Sequence, residues 1–306
     1  MSTSITTTYA GEFAGKYISA ALLSADTLEG GGITIKPNVK FKEVLKTLST
    51  NALVKDAACD FADQSVVTLA ERILQPEEFQ VNLELCKKDF RSDWEAIEMG
   101  YSAFDTLPPS FADFLLGHIA AKVAQKTEQT IWTGVNATAG EFDGFATLLA
   151  ADATVIDVVG TAVTAANVID EMGKVVDAIP TSVYGKEDLY IYVSSKIARA
   201  YVRALGGFGA NGLGANGVSA MGTTWFNGGD LAFDGVKLFV CSGMADDDMV
   251  AAQKSNLYFG TGLLSDHNEV KLIDMADLDG SQNVRVVMRY TAGVQTGIGA
   301  DIVYYT

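Results

Sequence analysis

The spacing of hydrophobic positions changes along this chain, and each change marks a different kind of element. From Ala112 to Ile131, the residues Leu115, Leu116, Ile119, Ala120, Val123, Ala124 and Thr127 recur every three to four positions. That is the helical period, and it predicts one long helix over 111–133. Pro108-Pro109 ends the preceding structure, Ser110 stands at the N-cap position and Gly134 at the C-terminal stop. At about 1.5 Å per residue such a helix is ~35 Å long. A second helix is expected over 165–179, with a stripe of Val168, Met172, Val175, Val176 and Ile179 that Pro180 stops. A third is expected over 195–205.

Elsewhere the period drops to two. Phe79, Val81, Leu83 and Leu85 alternate with Gln80, Asn82 and Glu84, the pattern of a strand with one covered face. Upstream, 65–69 and 72–74 are rich in β-formers, and Pro76-Glu77-Glu78 separates them from the alternating run. Together these segments predict a long two-stranded ribbon. Ribbons of two strands are marginal in water on their own, so support from another chain is expected. Further strands are expected at 189–193, 236–241, 256–259, 270–273, 284–290 and 301–305. The fold class is therefore α+β, with helices in the middle and strands outside them.

Residues 1–50 have little core of their own and read as an arm. Ser and Thr are dense at the start, and two apolar clusters, 17–23 and 39–48, flank Gly30-Gly31-Gly32. Three consecutive glycines predict a flexible joint. The whole chain has 306 residues, 48% hydrophobic and 20% charged, which suffices for a sizeable core in one large or two intertwined domains. Thirty Gly against five Pro suits turns and extended pieces better than a helical bundle.

The net charge of −16 is evenly spread: residues 1–150 carry 12 Lys+Arg against 20 Asp+Glu, and the rest carry 10 against 18. No basic domain is hidden by the average, so no duplex-gripping surface is expected. Cys59, Cys86 and Cys241 are odd in number and widely spaced, which argues against a disulfide framework. No stretch reaches the ~18 apolar residues of a membrane span, and the first residues lack the basic-then-apolar pattern of a signal peptide.

Candidate chemistry is thin. Gly207–Gly212 and Gly212–Gly217 both fit G-x-G-x-x-G, but a helix precedes them and Thr223-Thr224-Trp225-Phe226 follows. A dinucleotide site needs the opposite order, strand before and helix after. Asp246-Asp247-Asp248 lacks the fixed ligand spacing of a cation loop. His118 and His267 sit in no zinc motif, no G-x-S-x-G is present, and no Cys adjoins a His. Asn136-Ala137-Thr138 is a sequon that stays bare without export. No catalytic, cofactor-binding or metal residue is assigned, no cofactor is expected, and the chain is not read as an enzyme.

The order of the parts carries a resemblance. A polar arm, a β-ribbon excursion, one long helix, the stretch Glu141-Phe142-Asp143-Gly144-Phe145, a helix-and-strand region with a Gly-rich loop, and a strand-rich finish follow one another. With Asn256–Gly262 and Gly293–Gly299, this resembles the major capsid proteins of tailed bacteriophages, the Hong-Kong-ninety-seven-type fold shared with encapsulins. The resemblance implies an N-arm (1–50), an extended loop (51–92), a peripheral domain with its spine helix (93–160), an axial domain (161–265), and strands returning to both (266–306).

It further implies a structural subunit that self-assembles, as pentamers and hexamers, into an icosahedral head shell in the host bacterial cytoplasm. The shell would enclose DNA without sequence-specific binding and touch no membrane. Portal, decoration and separate scaffold proteins are its implied partners, since no charged helical leader is seen. Arg72, Glu77, Glu78 and Phe79 are the expected assembly contacts. An encapsulin-type nanocompartment shell is the alternative; a β-rich binding module or an enzyme with a dispersed site is the second.

Overall fold

The computed structural model of the chain describes residues 25–50, 57, 59, 67–90, 109–206, 231–262 and 270–306. The apolar cluster 17–23, the tandem glycine motifs of 207–217 and His267 lie outside these residues. In chain order the elements are α1 (Asp26–Glu29), β1 (Thr34–Pro37), β2 (Glu43–Thr50), β3 (Val67–Leu74), β4 (Glu77–Cys86), α2 (Lys87–Phe90) and α3 (Pro109–Thr133). They continue as α4 (Phe145–Ala151), β5 (Ile156–Val158), α5 (Val168–Asp177), β6 (Leu189–Ser194), α6 (Ser195–Gly206), β7 (Ala232–Phe233), β8 (Val236–Cys241) and β9 (Met249–Gln253). β10 (Leu257–Thr261), β11 (Val270–Asp274), α7 (Ala276–Asp279), β12 (Asn283–Thr296) and β13 (Val303–Tyr305) complete the chain.

The mixed α+β class expected from the pattern is the one observed. The long helix starts earlier than expected, at Pro109, so Ser110 lies inside the first turn and is not its cap. Proline suits that first turn, where its missing N–H has no intrahelical partner to lose. The helix ends where expected, and Gly134 serves there through close approach. A Cβ on Gly134 would come 2.3 Å from the Phe142 carbonyl, and the Gly134 carbonyl accepts the Gly144 N–H at 2.9 Å. Phe142 and Phe145 are buried on either side of this crossing.

A six-stranded sheet, ordered β5-β13-β9-β6-β8-β7, divides the molecule. Its β6 is buried at every position but the half-buried Tyr190, because both faces are covered. Leu189, Ile191 and Val193 pack with Met172, Val175 and Ile197 from α5 and α6. Tyr192, between them, faces Trp132 at the end of α3, with ring centroids 5.3 Å apart. A second sheet is ordered β1-β10-β12-β11, with β4 also on β12.

The expected ribbon of 65–74 with 79–85 is not what forms. β3 pairs with β2 in antiparallel register, Glu43 opposite Leu74 through Thr50 opposite Val67. The alternating run instead becomes β4 and pairs with β12, Phe79 opposite Tyr290, Val81 opposite Met288, Leu83 opposite Val286 and Leu85 opposite Val284. β12 offers ten residues of matching alternation, whereas β3 ends at Leu74 and Pro76 turns the chain away.

Candidate functional site

Opposite residues of a β-pair share a face, so the β2–β3 register sorts the ribbon in two. One face holds Glu43/Leu74, Leu45/Arg72, Thr47/Ala70 and Ser49/Thr68; the other holds Val44/Ile73, Lys46/Glu71, Leu48/Leu69 and Thr50/Val67. The first face is apolar only at its base, where Leu45 and Leu74 are buried with Val39. The second carries five aliphatic residues, interrupted by the Lys46/Glu71 pair, and is open to solvent, with Leu48 63% and Leu69 68% exposed. Val44, Ile73 and Val67 join them. A water-facing stripe of this kind is the candidate interaction surface of the described residues.

The base is held firmly. Arg72 pairs with Asp152, and its Nη1 donates to Thr296 Oγ1 at 2.9 Å. Burial works against ionisation of Asp152, but hydrogen bonds from Thr154 and the Arg72 guanidinium outweigh it and leave the carboxyl below its usual range. Gln295 Nε2 donates to the Ile73 carbonyl at 2.9 Å. The turn Leu74-Gln75-Pro76 crosses the second sheet where Gly260 and Gly293 sit opposite each other. A Cβ on Gly293 would meet Pro76 Cα at 2.9 Å, and one on Gly260 would meet Leu74 at 3.0 Å. Two paired glycines let the backbone pass over the sheet.

The four sequence-expected contacts separate. Arg72 faces inward at this base. Phe79 is half-buried between Phe142 and Tyr290, with centroids 6.0 and 5.5 Å away. Glu77 accepts from Asn136 Nδ2 at 2.6 Å, and burial, then the Asp143 charge, raises its pKa. Glu78 is exposed. Sequence reasoning missed Val44 and Leu48, because 43–50 was assigned to the arm. Their signal was a β-rich run whose Lys46 stands opposite Glu71.

The arm segment 25–33 behaves in the opposite way. Ala25, Thr27, Leu28 and Ile33 are buried. Thr27 donates to the Glu128 carboxylate twice, from N at 3.0 Å and from Oγ1 at 2.6 Å. Trp132 Nε1 donates to Thr27 Oγ1 at 2.8 Å, and the Tyr192 hydroxyl donates to the Gly32 carbonyl. The triple glycine is thus not a flexible joint. Its backbone is packed on Phe239, whose ring would lie 2.7 Å from a Cβ on Gly30 and 2.8 Å from one on Gly32. Burial raises the Glu128 pKa, Thr27's hydrogen bonds oppose this, and the nearby Asp26 charge adds to it.

Other flagged residues go to separate partners. Asp246 offers its carbonyl to Ser194 Oγ at 2.6 Å. Asp247 pairs with Lys196 at 2.7 Å and accepts the Val163 N–H. Asp248 accepts from the Tyr304 hydroxyl at 3.1 Å. No group of three or more His, Cys, Asp or Glu poised for a metal occurs among the described residues. Cys59, Cys86 and Cys241 are free thiols, Cys241 buried and Cys59 exposed. The two later motif stretches dock on each other: Asn256 Oδ1 accepts the Ile298 N–H at 2.6 Å, and the Asn256 carbonyl accepts the Gly297 N–H at 2.9 Å.

No protein-family model matches the chain. No curated protein matches it. Solved structures do. The capsid of an empty GTA particle is 14% identical, with TM-score 0.61 over 92% of this chain and 89% of that one. The chain is similar to one from Gordonia phage Cozz, at 12% identity and TM-score 0.57, covering 92% and 86%. It is also similar to one from the procapsid of satellite phage P4 with its size determination protein, at 11% identity and TM-score 0.53, covering 95% and 97%.

This is the phage capsid fold.

The expected fold is therefore the observed one. Within the capsid fold the ribbon rises from the second sheet, and the arm segment lies under the end of the long helix, between it and the six-stranded sheet.

Proposed function

We propose that this chain is the coat subunit of a phage head, which self-assembles as pentamers and hexamers into an icosahedral shell around the genome. The observation that carries this reading is the ribbon: a firmly based projection whose aliphatic face is open to solvent among the described residues. Covering each half-exposed aliphatic side chain is worth about 1–2 kcal/mol. A neighbouring copy is the natural cover, and the capsid and procapsid particles among the similar structures support it. On this reading the chain is structural and not an enzyme. It is put together in the host cytoplasm, with portal, separate scaffold and decoration proteins as further partners. Residues 1–50 serve as arm, 51–92 as extended loop, 93–160 as peripheral domain, 161–265 as axial domain, and 266–306 as returning strands. Arg72 and Phe79 act by fixing where the ribbon and β4 stand, while Glu77 and Glu78 set register at the rim, where charges govern specificity more than affinity. The charge of −16 leaves the packaged DNA unbound against the wall.

The test is size-exclusion chromatography with light scattering, followed by negative-stain microscopy, on the whole chain and on Leu48→Ser/Leu69→Ser. Rings or shells from the parent chain, lost in the variant, are expected. A parent chain that stays monomeric at every concentration, with added crowding agent and with a separate scaffold protein co-expressed, would refute the proposal. So would a variant that assembles as the parent does.

A further inference from the structure

The acidic character of the chain is interrupted at α6. This helix carries Lys196, Arg199 and Arg203 and no acidic residue. Lys196 is engaged by Asp247. Arg199 and Arg203, one turn apart and both exposed, have no carboxylate within ion-pair distance among the described residues; Arg199 Nε only returns to the Ser195 carbonyl at 2.9 Å. Between them and β8 runs a groove of about 570 Å³ with an apolar floor of Ala198, Val202, Leu231 and Val240. Val240 is an exposed aliphatic at 40%. The same part of the molecule presents the complement. Asp177 at the end of α5 and Asp234 in the β7–β8 turn flank a concavity of about 590 Å³ that Ile179 and Tyr184 also line. Both carboxylates are exposed, and no ion pair engages either among the described residues. Tyr184, 49% exposed, is fixed by its hydroxyl's bond to the Asp234 carbonyl at 2.8 Å.

We infer that the arginine-flanked groove of one copy receives the Asp177/Tyr184/Asp234 edge of a neighbouring copy. Each patch pairs an apolar centre with unmatched charge, and the signs are opposite. Arginine suits such a contact because it is weakly hydrated and forks onto carboxylates. The two patches share no residue and do not satisfy each other within one chain. A contact between two different surfaces is heterologous, and it closes into a ring when the rotation permits. The inference deepens the proposed coat function and rests on it: the ribbon reaches one neighbour, and this contact makes a second, separate joint.

The experiment uses two variants of the whole chain, Arg199→Glu/Arg203→Glu and Asp177→Arg/Asp234→Asn. Asn is chosen at 234 because that residue has φ 44°, which Asn tolerates. Each variant alone sets like charge against like, and the concentration for half-assembly in light scattering is expected to rise about tenfold or more. An equimolar mixture restores opposite charges at every joint only when the two alternate, so association should return with even-membered rings and no five-membered ones. Unchanged melting curves certify that both variants fold. Assembly of either variant at the parent's concentration would overturn the inference. So would folded variants whose mixture stays dissociated, or a groove variant that loses only DNA retention. In each case a parent chain that still assembles leaves the coat reading intact; a parent that never assembles sinks that reading instead.

Discussion

Two neighbouring stretches of this chain, residues 25–33 and the β2–β3 ribbon, reverse what their compositions suggest. The first is one-third Gly and carries two acids, with Leu28 and Ile33 its only large apolar side chains, yet it is sewn into the core by Glu128, Trp132 and Tyr192. The second is rich in Val, Leu and Ile, yet one of its faces leaves five of them in water. Hydrophobicity alone therefore does not decide what this chain buries. Small residues go inside where the backbone itself must fit against aromatic rings. On the open face of the ribbon, large aliphatic residues stay outside, where we propose that a second copy covers them.

The comparison breaks most visibly at Trp132. Its ring is fully buried between Phe145 and Tyr192, and its indole N–H holds Thr27. Trp132→Ala should cost about 3–5 kcal/mol in urea unfolding, the usual range for a large buried aromatic. A loss below about 1 kcal/mol would mean that the arm segment is an ornament on the core and not part of it.

Glu128 comes next. Glu128→Ala leaves two Thr27 donors without acceptors in a buried place, at about 1–3 kcal/mol each. Its pH dependence has a definite sign. The folded pKa is raised by burial, so the contribution of this group is fully present below the ordinary carboxylate value and is lost as pH rises through the raised one. Glu128→Gln does not ionise. Its melting temperature should match the parent's best in acid and gain on it as pH rises toward neutrality. A constant gap across that window would show that the Glu128 pKa is not raised in the fold.

How much of this was legible in the chain follows from the range of the interactions. The helix ending at Thr133 announced itself through its own 3.6-residue period, and β4 through its own alternation. Alternation says that one face is covered, not by what, so the partner of β4 was misassigned. β9 showed no period, because Met249, Val250, Ala251, Ala252 and Gln253 are all buried and both of its faces are covered. Residues 25–33 were misread because their partners lie about a hundred positions away, as Thr27 and Glu128 do. Of the four expected contact residues, Arg72, Glu77 and Phe79 have partners within the chain, while the exposed aliphatic residues that define the open face went unnamed.

A smaller effect sharpens the ribbon side of the comparison. Arg72→Ala should lower stability by only about 1 kcal/mol, since the pair with Asp152 is partly solvated. Its larger signature is kinetic: limited proteolysis within 43–74 should accelerate, because the base is no longer tied to Asp152 and Thr296. The Asp152 pKa is lowered, so its contribution is present above the ordinary carboxylate value and fades only as pH falls through the lowered one. Protection of the parent's ribbon should therefore be flat from pH 5 to 8. A cleavage rate that changes steeply in that window would assign the anchorage to another group.

The smallest expected change in stability is the most telling. Leu48→Ser/Leu69→Ser removes two leucines from the middle of the ribbon, a substitution that would cost several kcal/mol in a core. Both side chains are more than 60% exposed, so the isolated chain should unfold within about 0.5 kcal/mol of the parent. Solubility should rise, because the stripe that invites association has been broken. If instead the isolated variant were destabilised by about 2 kcal/mol or more, the range for lost core side chains, the ribbon's aliphatic face would be covered by its own chain. The contrast with residues 25–33 would then vanish, and the case for a neighbouring copy on that face would go with it.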